Sequence, residues 1–488
     1  MNLLIPLVFL ILATGVAACF PMSNPVLMLR VPVITSLVIL ALSISMAMHL
    51  FESGAYLLYG GNFLVDSLSM YHIFLVNFIF LISSVYATGY FKKNQTSAYI
   101  KRYCMLWQTF HAMLLLALLS NNIGLMWISL EATTLVSAFL IVSDSNPLSI
   151  EAMWKYLLVC SVGIAFAFFG TILTVAAARD IPSPHALYLF SQLGQHAGLI
   201  HPKLMLLAFI FIVVGFGTKA GFAPMHTWLP DAHSQAPTPV SAVFSGVMLN
   251  CALFAIMRYL PITEAALGKD GQAHSILLLL GFTSLIFAAV FIPIQHDMKR
   301  LLAYHSVEHM GIIAVGLGIG GFGTFAALLH ITNHSLSKVL AFFSAGHIGE
   351  HYGTRDMRQI TGAVKRVPLW GISFFVSILV LIGVAPFSVF MSEFLIIKEA
   401  FFKGRYFVVG LFLFAALAVF ISALKHAMDV SFGECKPEQA VAEKGRFIDK
   451  KIVLVCMAAL LLLGLWIPSP FADFLKSASA IIEEGINL

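Results

Sequence analysis

The chain has 488 residues, of which 60% are apolar and only 10% charged, with a mean hydropathy of +0.93. An ordinary soluble protein carries about 25% charged residues, so this one lacks the polar surface to coat a soluble body, and it is far too apolar to be disordered. The net charge of +5, from 28 Lys and Arg against 23 Asp and Glu, does not point to nucleic acid, because the basic residues fall in loops where they orient a membrane protein.

At about 20 residues per helical crossing, the length holds roughly a dozen spans or more. The apolar runs are long and continuous and do not alternate with period two, which excludes a transmembrane β-barrel. The lipid bilayer is therefore the first expected partner. Residues 1–19 resemble a secretory signal, and Val16-Ala17-Ala18-Cys19 resembles a lipoprotein cleavage box. A signal peptide needs a basic start, yet the first basic residue is Arg30. The segment reads as a retained first span with its N-terminus outside.

In chain order the expected spans are 3–20, 31–50, 66–90, 107–121, 123–142, 153–178, 204–225 and 240–260. They continue with 274–293, 299–319, 323–347, 369–395, 406–430 and 451–468, fourteen in all. The fourth and fifth meet at a polar Ser120-Asn121-Asn122 turn, and the glycines from Gly316 to Gly323 make a tight turn with no phosphate-loop lysine.

Loops after odd-numbered spans carry Lys92, Lys93, Lys101, Arg102, Lys299, Arg300, Arg355, Arg358, Lys365, Arg366, Lys436, Lys444, Arg446, Lys450 and Lys451. Those after even-numbered spans hold little beyond Arg179, Lys203, Lys269, Lys403 and Arg405. Odd loops are thus expected in the cytoplasm and both termini on the other side. The cysteines (Cys19, Cys104, Cys160, Cys251, Cys435, Cys456) form no C-x-x-C pair and read as small hydrophobes, without disulfide, metal or cluster.

A charge at mid-bilayer costs roughly 2.5–3.5 kcal/mol on insertion scales, so it persists where it pairs or lines a wet path. Glu131 lies deep in the fifth span and Lys219 in the seventh. His330, His334 and Lys338 recur at i, i+4 and i+8 in the eleventh, on one helix face. Glu393 sits in the twelfth, and Lys425-His426 in the thirteenth. Interhelical salt bridges are the plain explanation. Acid, Lys and His recurring along successive spans favour a proton path, since these groups change protonation near neutral pH.

Two spans carry a proline near a charge, Lys219 with Pro224 and Pro386 with Glu393. Such interrupted helices in two halves point to a transporter's ion site. Glu131 and Lys219 are 88 residues apart, Glu308 and Glu393 85, which suggests an internal repeat. His305-Ser-Val-Glu-His309 and His347-Ile-Gly-Glu-His351 match a zinc-protease pattern. Neither shows a third ligand, which catalytic zinc requires, and Gly349 with Tyr352-Gly353 argues against helical ligand geometry in the second. A membrane metallohydrolase is thus kept only as a third alternative, and no metal or cofactor is expected.

The stretch from Gly217 through Lys219, Pro224, His226, Trp228, Asp231 and Pro237 to Ala242 is a Pro-broken helix with a lysine, followed by a tied loop. It resembles the antiporter-like family: the large proton-channel subunits of respiratory complex I, membrane-bound hydrogenases and Mrp-type sodium/proton antiporters. Asp297-Met-Lys-Arg-Leu-Leu-Ala-Tyr304, His330-Ile-Thr-Asn-His334-Ser-Leu-Ser-Lys338 and Ser392-Glu393-Phe394-Leu395 are similar to further motifs of that family, in order.

The resemblance implies an all-α polytopic fold of fourteen helices, with broken seventh and twelfth helices and two inverted five-helix repeats at 107–260 and 274–430. Three spans in 1–106 precede the repeats, and a last span and tail occupy 451–488. By the same resemblance Glu131 and Lys219 form a charge pair, Lys338 connects the halves and Glu393 is the terminal carrier. Asn250 stands where many complex I members carry a lysine, so the first half-path would be bridged by water or by His226. That asparagine, together with Ser129-Leu-Glu-Ala-Thr-Thr-Leu135 and Asp231-Ala-His-Ser-Gln-Ala-Pro237, makes the chain most similar to the hydrogenase-4 branch. Implied too are a bacterial inner-membrane location, partner subunits of a hydrogenase or complex I-like assembly, protons as cargo with sodium as the rival, and no catalytic chemistry or cofactor of the chain's own.

Overall fold

The computed structural model describes residues 4–91, 95–142, 146–434 and 446–486. Lys92, Lys93, Cys435, Lys436 and Lys444 lie outside them. The other five cysteines are buried and free. The chain begins with α1 (Leu4–Cys19), α2 (Pro25–Ser53), a hairpin of β1 (Tyr56–Leu58) and β2 (Phe63–Val65), then α3 (Ser67–Tyr90), α4 (Ser97–Leu119), α5 (Ile123–Ile141) and α6 (Pro147–Ala177). Next come α7 (Phe190–Gln195), α8 (Pro202–Ala220), α9 (Leu229–Gln235), α10 (Thr238–Val243), α11 (Leu249–Ala266) and α12 (Gln272–Phe291). The remainder is α13 (Met298–Ile319), α14 (Phe322–Tyr352), α15 (Ala363–Arg366), α16 (Pro368–Leu381), α17 (Ser388–Phe402), α18 (Tyr406–Phe432), α19 (Phe447–Leu465) and α20 (Ser469–Glu484).

Among the described residues nine helical stretches are long and apolar enough to cross a membrane, or ten if α19 and α20, bent by 78°, count as one. Length and apolarity alone therefore give fewer than fourteen spans. Two of the expected spans fail on composition or length. α14 carries His330, His334 and Lys338, which lower its hydropathy, and α16 and α17 have only 14 and 15 residues because the chain breaks between them.

Caps and prolines, more than apolarity, set where helices start. Asn24 and Asn146 cap α2 and α6, each followed by proline, so these helices begin at 25 and 147, ahead of the expected 31 and 153. Thr96 caps α4 ten residues ahead of the expected start. Gly320, at φ +71°, ends α13 within the glycine cluster expected to turn.

The chain forms two compact units. The first comprises residues 1–220, 247–277 and 473–488. In it the unexpected hairpin, with Tyr56 opposite Val65, is held by the Ser120-Asn121-Asn122 turn, since Asn121 Nδ2 donates to Gly61 O at 2.7 Å. Arg258 of α11 donates Nη1 to Asp66 Oδ2 at 2.5 Å and Nη2 to Oδ1 at 2.8 Å, with both side chains 1% exposed. The outer face of α6 presents Trp154, Leu158, Val162, Phe166 and Phe169, an apolar stripe of the kind that faces lipid.

Its inner face packs against α8 through glycine. A Cβ on Gly215 would overlap the Ala167 backbone, and one on Gly163 would meet Thr218 Cβ at 2.6 Å. Small residues allow this close approach in a membrane, where packing drives helix association. Gly215→Leu should force the helices apart and lower stability by about 1–3 kcal/mol, read as an earlier unfolding midpoint of the detergent-solubilised chain.

The second unit comprises residues 221–246 and 278–472. Buried α13 and α14 pack with α16 and α17. A cluster of Leu285, Ile312, Val315, Ile319, Ile396 and Phe412 fills one side.

Candidate functional site

Each unit contains buried polar groups next to a helix break. In the first, α8 ends at Ala220 and the chain turns at Gly221, φ +83°. Lys219, fully buried, thus lies at the end of a helix, and its Nζ donates to Thr134 Oγ1 at 2.5 Å. Thr134 lies three residues after Glu131, on the same face of α5. Glu131 Oε1 accepts from Ser161 at 3.2 Å, while Oε2 has no hydrogen-bond partner. Carboxylate and ammonium are thus held by separate hydroxyls and are not joined in an ion pair. Ser137, three residues further on, bonds the Tyr156 hydroxyl at 2.6 Å, which extends the polar face of α5. Asn250 is buried at the start of α11, directly after a π-helical turn at Phe244–Met248.

The second unit holds a denser group. Fully buried Lys338 donates Nζ to Leu302 O at 2.5 Å. His334 Nε2 lies 3.2 Å from Ser245 O, and its ring centre is 5.0 Å from that of His309. His309 Nδ1 lies 2.8 Å from His330 Nε2, and His330 Nδ1 lies 2.9 Å from Ser392 Oγ. Asn333 Nδ2 donates to Ser392 Oγ at 3.1 Å and to Ser388 O at 2.7 Å. The stripe of His330 and His334 on α14 therefore meets His309 of α13.

Glu393 projects beside the second break, where α16 ends at Leu381 and α17 starts at Ser388. Gly383 has φ +70°, and a Cβ there would overlap Glu393 Oε2. Glycine is needed at that point both for the turn and for room.

His305, Glu308 and His309 add a second cluster, with His305 Nδ1 2.8 Å from Glu308 Oε2. In the sequence Glu308 stands out only through a repeat spacing and a zinc pattern. Its partnership with His305 at i+3 was the available signal. Candidate metal-ligand atoms of His305, Glu308 and His309 lie within 4.8 Å of one another, as do those of His309, His330 and Glu393. The other His-x-x-Glu-His segment is helical after all. α14 runs through to Tyr352, with Gly353 in the left-handed conformation as its cap, and His347 packs on Trp370.

Two expected residues stand apart from these bonds. His226 belongs to the second unit, where its ring lies 5.5 Å from Phe287 and 5.9 Å from Tyr304. Lys425 is exposed on α18 and lines a cavity of about 710 Å³ with His296, Arg358, His426 and Asp429.

A buried array of carboxylate, imidazole, lysine and hydroxyl groups beside broken helices, within long apolar helices, defines a polytopic membrane protein with titratable groups in its interior. The family model described as NADH:quinone oxidoreductase/Mrp antiporter, TM, matches residues 120–419, and the chain belongs to that family. It is 37% identical over 435 residues to the hydrogenase-4 component F homolog of Methylacidiphilum infernorum, covering 87% of this chain and 89% of that one. Its fold is similar to a chain of the archaeal membrane-bound sulfane sulfur reductase, with TM-score 0.88, 21% identity and coverage of 99% and 97%. It is likewise similar to a chain of the Mrp complex from Dietzia sp. DQ12-45-1b, with TM-score 0.85, 19% identity and the same coverage.

Proposed function

We propose that the chain is a proton-translocating subunit of a hydrogenase-4-like or complex I-like assembly in a bacterial inner membrane, with both termini periplasmic. The observation that carries this is the hydrogen-bonded array His309–His330–Ser392–Asn333, flanked by Lys338 and Glu393 and buried beside a broken helix. Buried groups able to take and release protons, in contact with one another, form the minimum equipment of a relay.

In this reading the fourteen spans comprise three in 1–106, inverted repeats at 107–260 and 274–430, and a last span with its tail at 451–488. The first unit handles protons through Glu131 and Lys219, with Asn250 as a further member, and His226 is a further candidate of the second unit. The second handles them through His334, His330, Lys338 and Glu393, with Lys425 at its surface. A change in charge or contact at one end of an array, driven by a redox partner subunit, separates an acid from a lysine and moves a proton on.

The rival reading is an Mrp-type antiporter subunit that exchanges sodium for protons without a redox partner. Purification distinguishes the two. Co-isolation with a hydrogenase-like large subunit, and acidification of inverted vesicles that stops when this chain is deleted, are expected. Co-isolation with small membrane subunits only, and proton movement that requires sodium, would favour the rival.

A further inference from the structure

We propose that His309, His330 and Glu393 form a binding site for a divalent transition-metal ion, with zinc the best fit, and that the bound ion locks the array. Their candidate ligand atoms lie within 4.8 Å of one another and come from three helices, α13, α14 and α17. In a tetrahedral zinc site with bonds of about 2.0–2.1 Å, ligand atoms sit about 3.3–3.5 Å apart. Side-chain rotations open the 2.8 Å contact of His309 Nδ1 with His330 Nε2 and draw the wider pairs in to that spacing. Two imidazoles and one carboxylate suit zinc over sodium or magnesium, which prefer oxygen.

One further observation fits a metal. A ligating histidine usually bonds its other ring nitrogen to a fixed partner, and His330 Nδ1 lies 2.9 Å from Ser392 Oγ, which leaves Nε2 turned to His309. His309 Nε2 is buried without a hydrogen-bond partner. When the ion takes the facing lone pairs of His309 Nδ1 and His330 Nε2, the proton between them moves to that second nitrogen of His309. Both histidines are fully buried, but Glu393 is partly exposed and gives the ion access. The neighbouring triad of His305, Glu308 and His309 is buried throughout, and its acid is already bonded to His305.

Metal binding stands on this geometry alone; only its effect on proton movement rests on the proposed function. The test is titration of the purified full chain in lipid nanodiscs with Co²⁺ and Zn²⁺, with the coordination read from cobalt ligand-field bands and zinc X-ray absorption. One ion per chain with two imidazoles is expected, with affinity lowered tenfold or more in Glu393→Gln and His330→Gln and kept in Glu308→Gln. Wild-type binding no tighter than that of His330→Gln would overturn the site. So would loss in Glu308→Gln with retention in Glu393→Gln, which assigns the ion to α13. A complex that moves protons at the same rate with zinc bound would overturn the lock. Vesicles that move no protons at all would defeat the proposed function and leave the metal stoichiometry standing.

Discussion

Lys338→Met should stop proton movement by the assembled complex while leaving its redox partner turning over. Lys338 is fully buried, with its Nζ on the Leu302 carbonyl. A lysine at such depth costs roughly 2.5–3.5 kcal/mol on insertion scales, and methionine of similar length removes that cost. The variant should therefore assemble at least as well as the parent, so that lost transport cannot be blamed on lost folding.

Removing one group that takes and gives a proton is expected to slow transfer by about 10²-fold or more, read as dye-reported acidification of inverted vesicles. Lys338→Arg sharpens the result, because arginine keeps the charge and does not release its proton. It too should be blocked. Wild-type transport by the arginine variant would mean that a fixed charge suffices and would contradict a relay through this residue.

The largest effect on stability is expected from Arg258→Met. The Arg258–Asp66 pair is bidentate and 1% exposed on both sides. Removing one partner of a buried pair costs about 3–5 kcal/mol, because it strands the other charge. Asp66 also caps α3 through the Ser69 N–H at 2.8 Å, so the stranded carboxylate cannot swing away without uncapping that helix. Arg258→Met with Asp66→Asn should regain much of the loss, since asparagine still caps. Unfolding midpoints of the detergent-solubilised chain measure both. If the single and double variants fall equally, the stranded charge is not the cause.

Local signals made much of this architecture legible in the sequence. The prolines near Lys219 and Glu393 mark the two places where helices break, and the i, i+4, i+8 spacing put His330, His334 and Lys338 on one helix. What escaped was set by contacts between distant segments. Arg258 and Asp66 are 192 residues apart, and neither carries a local mark of its partner. The three-residue strands of the hairpin are too short for a period-two pattern. Glu131 was expected to face Lys219, yet the lysine reaches the hydroxyl one turn along, a difference of a few ångströms that spacing does not resolve. His309 stands in the sequence only as the end of a zinc-protease pattern, and only the packing of α13 on α14 makes it the meeting point of two clusters.

Buried lysines and acids carry the protons in this reading, and Lys219→Ala removes the one at the first helix break. The assay follows acidification of inverted vesicles in step with redox turnover of the intact complex. No acidification with turnover retained and the complex assembled is the predicted result. Acidification at the wild-type ratio of protons to turnover would contradict the account.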